Sequence, residues 1–80
     1  MPEVNMQWQD HLVVSPEVMG GAVCYRGTRI PVSVVLDNLA AGLSDAAVQA
    51  EYPSLPPQAA SIALAYAADL ARDRIVTVPG

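Results

Sequence analysis

Four side chains carry the fixed positive charge of this 80-residue chain, and two of them, Arg26 and Arg29, flank Gly27 and Thr28 in the segment Arg26–Val32. A guanidinium is a rigid fork of donors shaped for carboxylate or phosphate, so the pair is a candidate docking device for an anionic surface. A second use is open to Arg29, that of bonding carbonyls of its own fold. The remaining cations, Arg72 and Arg74, mark the expected end of the last helix and join the candidate partner-binding set.

Other chemistry is sparse. His11 has no Ser, Cys or carboxylate constellation near it in sequence, and Glu17, Asp37, Asp45, Glu51 and Asp69 are spread singly, as on solvated helix faces. No catalytic residue is expected, and the chain reads as a non-enzyme. No closely spaced His, Cys and Asp set supplies three or four metal ligands, so no metal is expected either. Gly20-Gly21 lacks the Gly-Lys-Ser that completes a phosphate loop and reads as turn chemistry, leaving no cofactor implied. The single Cys24, between Val23 and Tyr25, has no internal disulfide partner and suits a small buried apolar role.

Eighty residues make one small domain, near the size where a lone core is only just sufficient. Hydrophobic residues are 52% of the chain, yet Phe is absent and thirteen residues are Ala, so the core is thin and a homodimer is expected to complete it. A net charge of −4 gives a free monomer little to offer nucleic acid, which attracts basic faces. No apolar run approaches the roughly 18 residues of a membrane span, and the N-terminal residues show no basic, apolar leader pattern, so the expected location is cytoplasmic, away from membranes.

The elements that must hold these residues can be read from punctuation and period. Residues 1–10 lack periodicity and form an N-terminal arm, with Trp8 as a candidate anchor against a neighbour. Residues 11–74 form the domain, and 75–80 a C-terminal tail. His11–Ser15 and Ala22–Tyr25 read as strands of a small hairpin around Pro16 and Gly20-Gly21. Val32, Val35, Leu36, Leu39 and Leu43 recur at helical spacing, predicting a helix over Pro31–Ala41 that ends at Gly42. Ser44 is a natural N-cap for a short second helix that Pro53 stops. The third is predicted over Pro57–Arg72, with Ala59, Ile62, Ala63, Tyr66 and Leu70 on one face. Leu64, Ala67, Ala68 and Ala71 widen that face almost to a full circumference, which points to a dimer interface on this helix. Ile75–Val78 is β-prone and could add to a partner's sheet edge.

A short helix, a four-residue connection and a longer helix resemble a helix-turn-helix unit. Gln58, Ala60 and Ser61 would then lead the recognition helix, with Gln58 suited to adenine, and in a dimer Arg26 and Arg29 would clamp phosphate. The candidate DNA-binding residues are Arg26, Gln58 and Ser61.

The segments Arg26-Gly27-Thr28-Arg29-Ile30-Pro31-Val32, Ala40-Ala41-Gly42-Leu43-Ser44, Tyr52-Pro53-Ser54-Leu55 and Ala63-Leu64-Ala65-Tyr66-Ala67 occur in one order that resembles the signature of domain-of-unknown-function family 433. The resemblance covers about five-eighths of the chain, Gly20 to Leu70. It implies a mainly α, homeodomain-like three-helix domain with a small N-terminal hairpin, encoded beside a PIN-like ribonuclease and acting as the antitoxin of that type II pair. Two departures stand out: Ala22-Val23-Cys24 replaces a basic-Pro-Val entry, and Pro56-Pro57-Gln58 replaces a Thr-Pro-Glu helix cap. The function so implied is neutralisation of a PIN-like toxin by protein contact, with Arg26, Arg29, Arg72 or Arg74 pairing with the carboxylates that hold its Mg²⁺. The alternatives are a DNA-binding autoregulator of its own operon and a dimeric scaffold in which Gly27, Thr28 and Arg29 are structural.

Overall fold

The computed structural model of the protein describes residues 7–73. Chain order runs from a short 3₁₀ turn, Trp8–Asp10, to strand β1 (Leu12–Ser15), strand β2 (Ala22–Tyr25) and helices α1 (Val32–Ala40), α2 (Asp45–Glu51) and α3 (Ala59–Asp73). The architecture is therefore mainly helical, with three helices behind an N-terminal antiparallel hairpin. Arg74 and the Ile75–Val78 segment lie outside the described residues.

The hairpin pairs Leu12 with Tyr25, Val13 with Cys24, Val14 with Val23 and Ser15 with Ala22. Its connection needs unusual backbone, and Gly20 and Gly21 supply it at φ +72° and +116°. Two strands are marginal in water, so β2 is held from behind: Leu12, Cys24 and Tyr25 are buried, and Cys24 forms a bridge with Pro31 at the entry to α1.

Helix α1 begins one residue later than its proline suggests, because Pro31 is extended (φ −66°, ψ 145°) and stands at the N-cap rather than in the first turn. Gly42 at φ +99° ends it in the left-handed conformation. Helix α2 starts where a cap was expected, the Ser44 hydroxyl accepting the Ala47 amide at 3.1 Å. The connection to α3 spans residues 52–58, longer than the four residues expected. Its extra length has a physical cause: Leu55 turns into the core at 4% exposure, fixed by a bond from Gln49 Nε2 to its carbonyl at 2.7 Å. Helix α3 then begins at Ala59, two residues beyond Pro57.

The core lies between β2 and the three helices, centred on Tyr25, Val35, Val48 and Ile62, each at 2% exposure or less. Burial of an aliphatic side chain of this size stabilises by roughly 1.5–3 kcal/mol, so few large residues carry much of the fold. Ala59, Ala60 and Ala63 are also buried, and their small side chains let α3 approach its neighbours closely. The opposite face of α3 is open: Leu64 is 55% exposed and Ala68 and Ala71 face solvent.

Candidate functional site

The segment joining β2 to α1 is a closed polar turn built around one threonine. The Thr28 hydroxyl donates to the Tyr25 carbonyl at 2.8 Å and accepts the Ile30 amide at 3.0 Å. Two backbone bonds tighten the same loop, Thr28 N–H to Tyr25 C=O at 3.0 Å and Tyr25 N–H to Ile30 C=O at 3.1 Å. Gly27 sits at φ +80°, where a side chain would be strained. These bonds hold the turn without either arginine side chain, and both arginines are exposed on its outside.

The two differ in what they do. Arg26 Nε donates to the Asp10 carbonyl at 3.1 Å, and its amide donates to the His11 carbonyl at 2.8 Å, so Arg26 ties the turn to the end of the 3₁₀ segment. Arg29 has no side-chain hydrogen bond among the described residues, and the helix-end carbonyl bonds expected of a structural Arg29 are not formed.

Arg72 is engaged differently. It pairs with Asp69 one turn earlier on α3, a contact exposed to water on the arginine side. The second carboxylate oxygen of Asp69 accepts the indole N–H of Trp8, whose ring meets Tyr66 edge-on at 5.0 Å. The Trp8 hydrogen bond, with help from Arg72, holds the Asp69 carboxyl below its usual range. Trp8 thus anchors on its own α3. The 3₁₀ segment touches Arg26 at one end and the Asp69–Arg72 pair at the other, bringing these two arginines to its two flanks.

The predicted DNA-reading residues form a separate surface. Gln58, just before α3, and Ser61, in its first turn, are exposed, about 21 and 16 Å along the helix axis from Arg72. Ala60, between them, is buried at 7% exposure and cannot reach a base edge. The start of α3 is fixed instead by Tyr25, which is fully buried and donates its hydroxyl to the Ala59 carbonyl at 2.7 Å. Burial pushes the Tyr25 phenol well above its ordinary range. Sequence reasoning missed Tyr25, and the only signal available was a tyrosine ending an apolar strand beside the polar turn. It missed Asp69 too, although the i,i+3 spacing to Arg72 was legible.

Among the described residues no pocket opens, and no three His, Cys, Asp or Glu side chains gather as a metal-binding group. No helix of the described residues is long and apolar enough to cross a membrane.

Comparison with known proteins agrees with this geometry. No curated protein matches the chain. Among solved structures it is similar to a DUF433 member protein from Anabaena variabilis, with 31% identity and a TM-score of 0.69 over 81% of this chain. The chain spans only 64% of the length of that protein. The family model described as a protein of unknown function, DUF433, matches residues 12–67, from the first residue of β1 through most of α3 and including the whole polar turn. With more than half its length inside that match, the chain belongs to the DUF433 family.

Proposed function

We propose that the protein is a non-catalytic cytoplasmic antitoxin that neutralises a PIN-like ribonuclease by direct contact through the outer side of the Arg26–Val32 turn. The observation that carries this reading is Arg29: it is exposed, lacks an internal hydrogen-bond partner among the described residues, and projects from a turn that Thr28 and Gly27 fix independently of it. Because the backbone of the turn is already fixed, docking has only the arginine side chain left to order, and its fork suits the bidentate geometry of a metal-binding carboxylate cluster. Arg26 lends a second guanidinium whose outer nitrogens are not engaged by the Asp10 carbonyl. Arg72 contributes less, because a partner must first compete with Asp69.

Inhibition of the nuclease encoded next to this chain tests the reading. Arg29→Ala is expected to weaken inhibition at least tenfold while unfolding stability stays within about 0.5 kcal/mol of the parent, as for an exposed side chain without partners. Unchanged inhibition by Arg26→Ala, Arg29→Ala, Arg72→Ala and a form lacking residues 74–80 would exclude these contacts.

Operator DNA binding is a second reading, supported by the exposure of Gln58 and Ser61 at the start of α3. Because the chain is acidic, the charge for phosphate contact would come from a complex with the toxin. Salt-sensitive gel shifts by that complex, weakened by Gln58→Ala, are the expected outcome; no shift at low salt removes this reading.

A further inference from the structure

The phase of the hairpin hydrogen bonds leaves one edge of the sheet open in a specific way. The bond from Arg26 N–H to His11 C=O marks His11 and Arg26 as a bonded pair in the β1–β2 register. Bonded and non-bonded pairs alternate in an antiparallel ladder, so Val13–Cys24 and Ser15–Ala22 are bonded, while Leu12 and Val14 turn their N–H and C=O groups away from β2. The same phase is visible opposite Leu12, where the Tyr25 N–H points outward and bonds Ile30. Among the described residues no backbone group closes on the outward groups of Leu12 or Val14.

Apart from its shortness, four residues, this edge carries none of the usual protections. Leu12–Ser15 contains no charge, no proline and no bulge, and a paired edge is what such strands seek. Val14 lies on the same face as buried Leu12 but is 64% exposed: the core covers Leu12 and Tyr25 on that face and reaches Val23, and stops short of Val14 at the edge.

The geometry points to antiparallel pairing of β1 with β1 of a second copy across a two-fold axis at Val13, making a four-stranded sheet. In that register Leu12 of each copy meets Val14 of the other as a bonded pair, each pair exchanging both backbone bonds. All the outward groups of Leu12 and Val14 are then used. Each exposed Val14 comes to lie beside the other copy's Leu12, where the apolar face continues. The flanking pair is His11 with Ser15, so no like charges meet. This self-complementarity is what selects a second copy as the occupant, and it moves the expected dimer contact from α3 to the hairpin. The inference is independent of the antitoxin reading.

Sedimentation equilibrium of the full chain tests it. A contact this short belongs at the weak end of interfaces, so dimerisation is expected between roughly 10 µM and 1 mM chain. Val14→Pro removes an amide that faces away from β2, and Val14→Lys places a charge on the edge. Each is expected to raise the dissociation constant at least tenfold with an unchanged circular dichroism spectrum. Val13 faces itself in a non-bonded pair, where Cα atoms lie about 4.5 Å apart, so Val13→Cys, made together with Cys24→Ala to remove the thiol opposite residue 13 in the hairpin, should form a covalent dimer under mild oxidation. The parent protein, whose Cys24 is buried, should not. Should Val14→Pro disturb the fold, Val14→Lys and the Val13→Cys cross-link decide alone. A monomer throughout the concentration range overturns the proposal. So does a dimer insensitive to both Val14 variants, or one abolished only by Leu64→Glu on α3 or by removal of residues 74–80.

Discussion

At the residue scale, Tyr25 makes the decisive polar contact inside the fold. Its hydroxyl reaches the Ala59 carbonyl from a position with no solvent exposure, which is why the phenol resists ionisation. The pH consequence has a definite sign. Below about pH 10 the phenol is neutral in folded and unfolded chains, and Tyr25 adds no pH dependence. Above that value the unfolded chain releases the proton first, so stability falls by up to about 1.4 kcal/mol per pH unit until the folded form also ionises. The absence of lysine removes the ammonium titrations that usually overlap this range. Denaturant unfolding of Tyr25→Phe should show a loss of about 1 kcal/mol at pH 7, from one hydrogen bond, and a shallower decline between pH 10 and 11.5 than the parent. An equal decline in both proteins would show that the buried phenol is not the titrating group.

Among the elements, the short helix α2 carries its own N-terminal signal, and α3 does not. Ser44 bonds the Ala47 amide, whereas Gln58, whose carbonyl accepts the first amide bond of α3 from Ile62 at 2.9 Å, offers no side-chain cap among the described residues. Gln58→Ser is therefore expected to stabilise the protein by about 1 kcal/mol, or about 4–8 °C in Tm, in a thermal melt. The same contrast explains what the sequence could and could not reveal. The hairpin, α1 and the start of α2 were legible because glycine, proline and serine punctuate them locally. The start of α3 was placed two residues early because Pro57 is acceptable in a first turn, and only the insertion of Leu55 into the core shows why the chain stays irregular until Gln58. Site residues were legible by type and not by partner: Arg29 and Arg72 look alike in sequence, but Asp69 engages one, while the Thr28 turn leaves the other facing outward. Trp8 was legible as an anchor but not for its target, because its contact with Tyr66 and Asp69 joins segments far apart in the chain.

For the whole molecule, two long-range polar contacts fasten the ends of α3 to the N-terminal third of the chain: Tyr25 at its start and Trp8 near its end. Between them the core of small residues provides close packing with little bulk, so the protein is sensitive to truncation at its largest members. Ile62→Ala, at a site with no exposure, is expected to cost about 2–5 kcal/mol by chemical denaturation, a large share of the total for a domain of this size. The Tyr25–Ala59 bond also bears on the order of events in folding. It closes a loop of 34 residues that contains β2's exit, α1 and α2, so it can form only after those local elements have been gathered. A contact made late is absent from the barrier on the way in and must be broken on the way out. Stopped-flow fluorescence of the sole tryptophan, Trp8, should accordingly find that Tyr25→Phe unfolds about fivefold faster while its refolding rate is nearly that of the parent. The hydroxyl of Tyr25 thus sets the lifetime of the native state rather than the speed of reaching it.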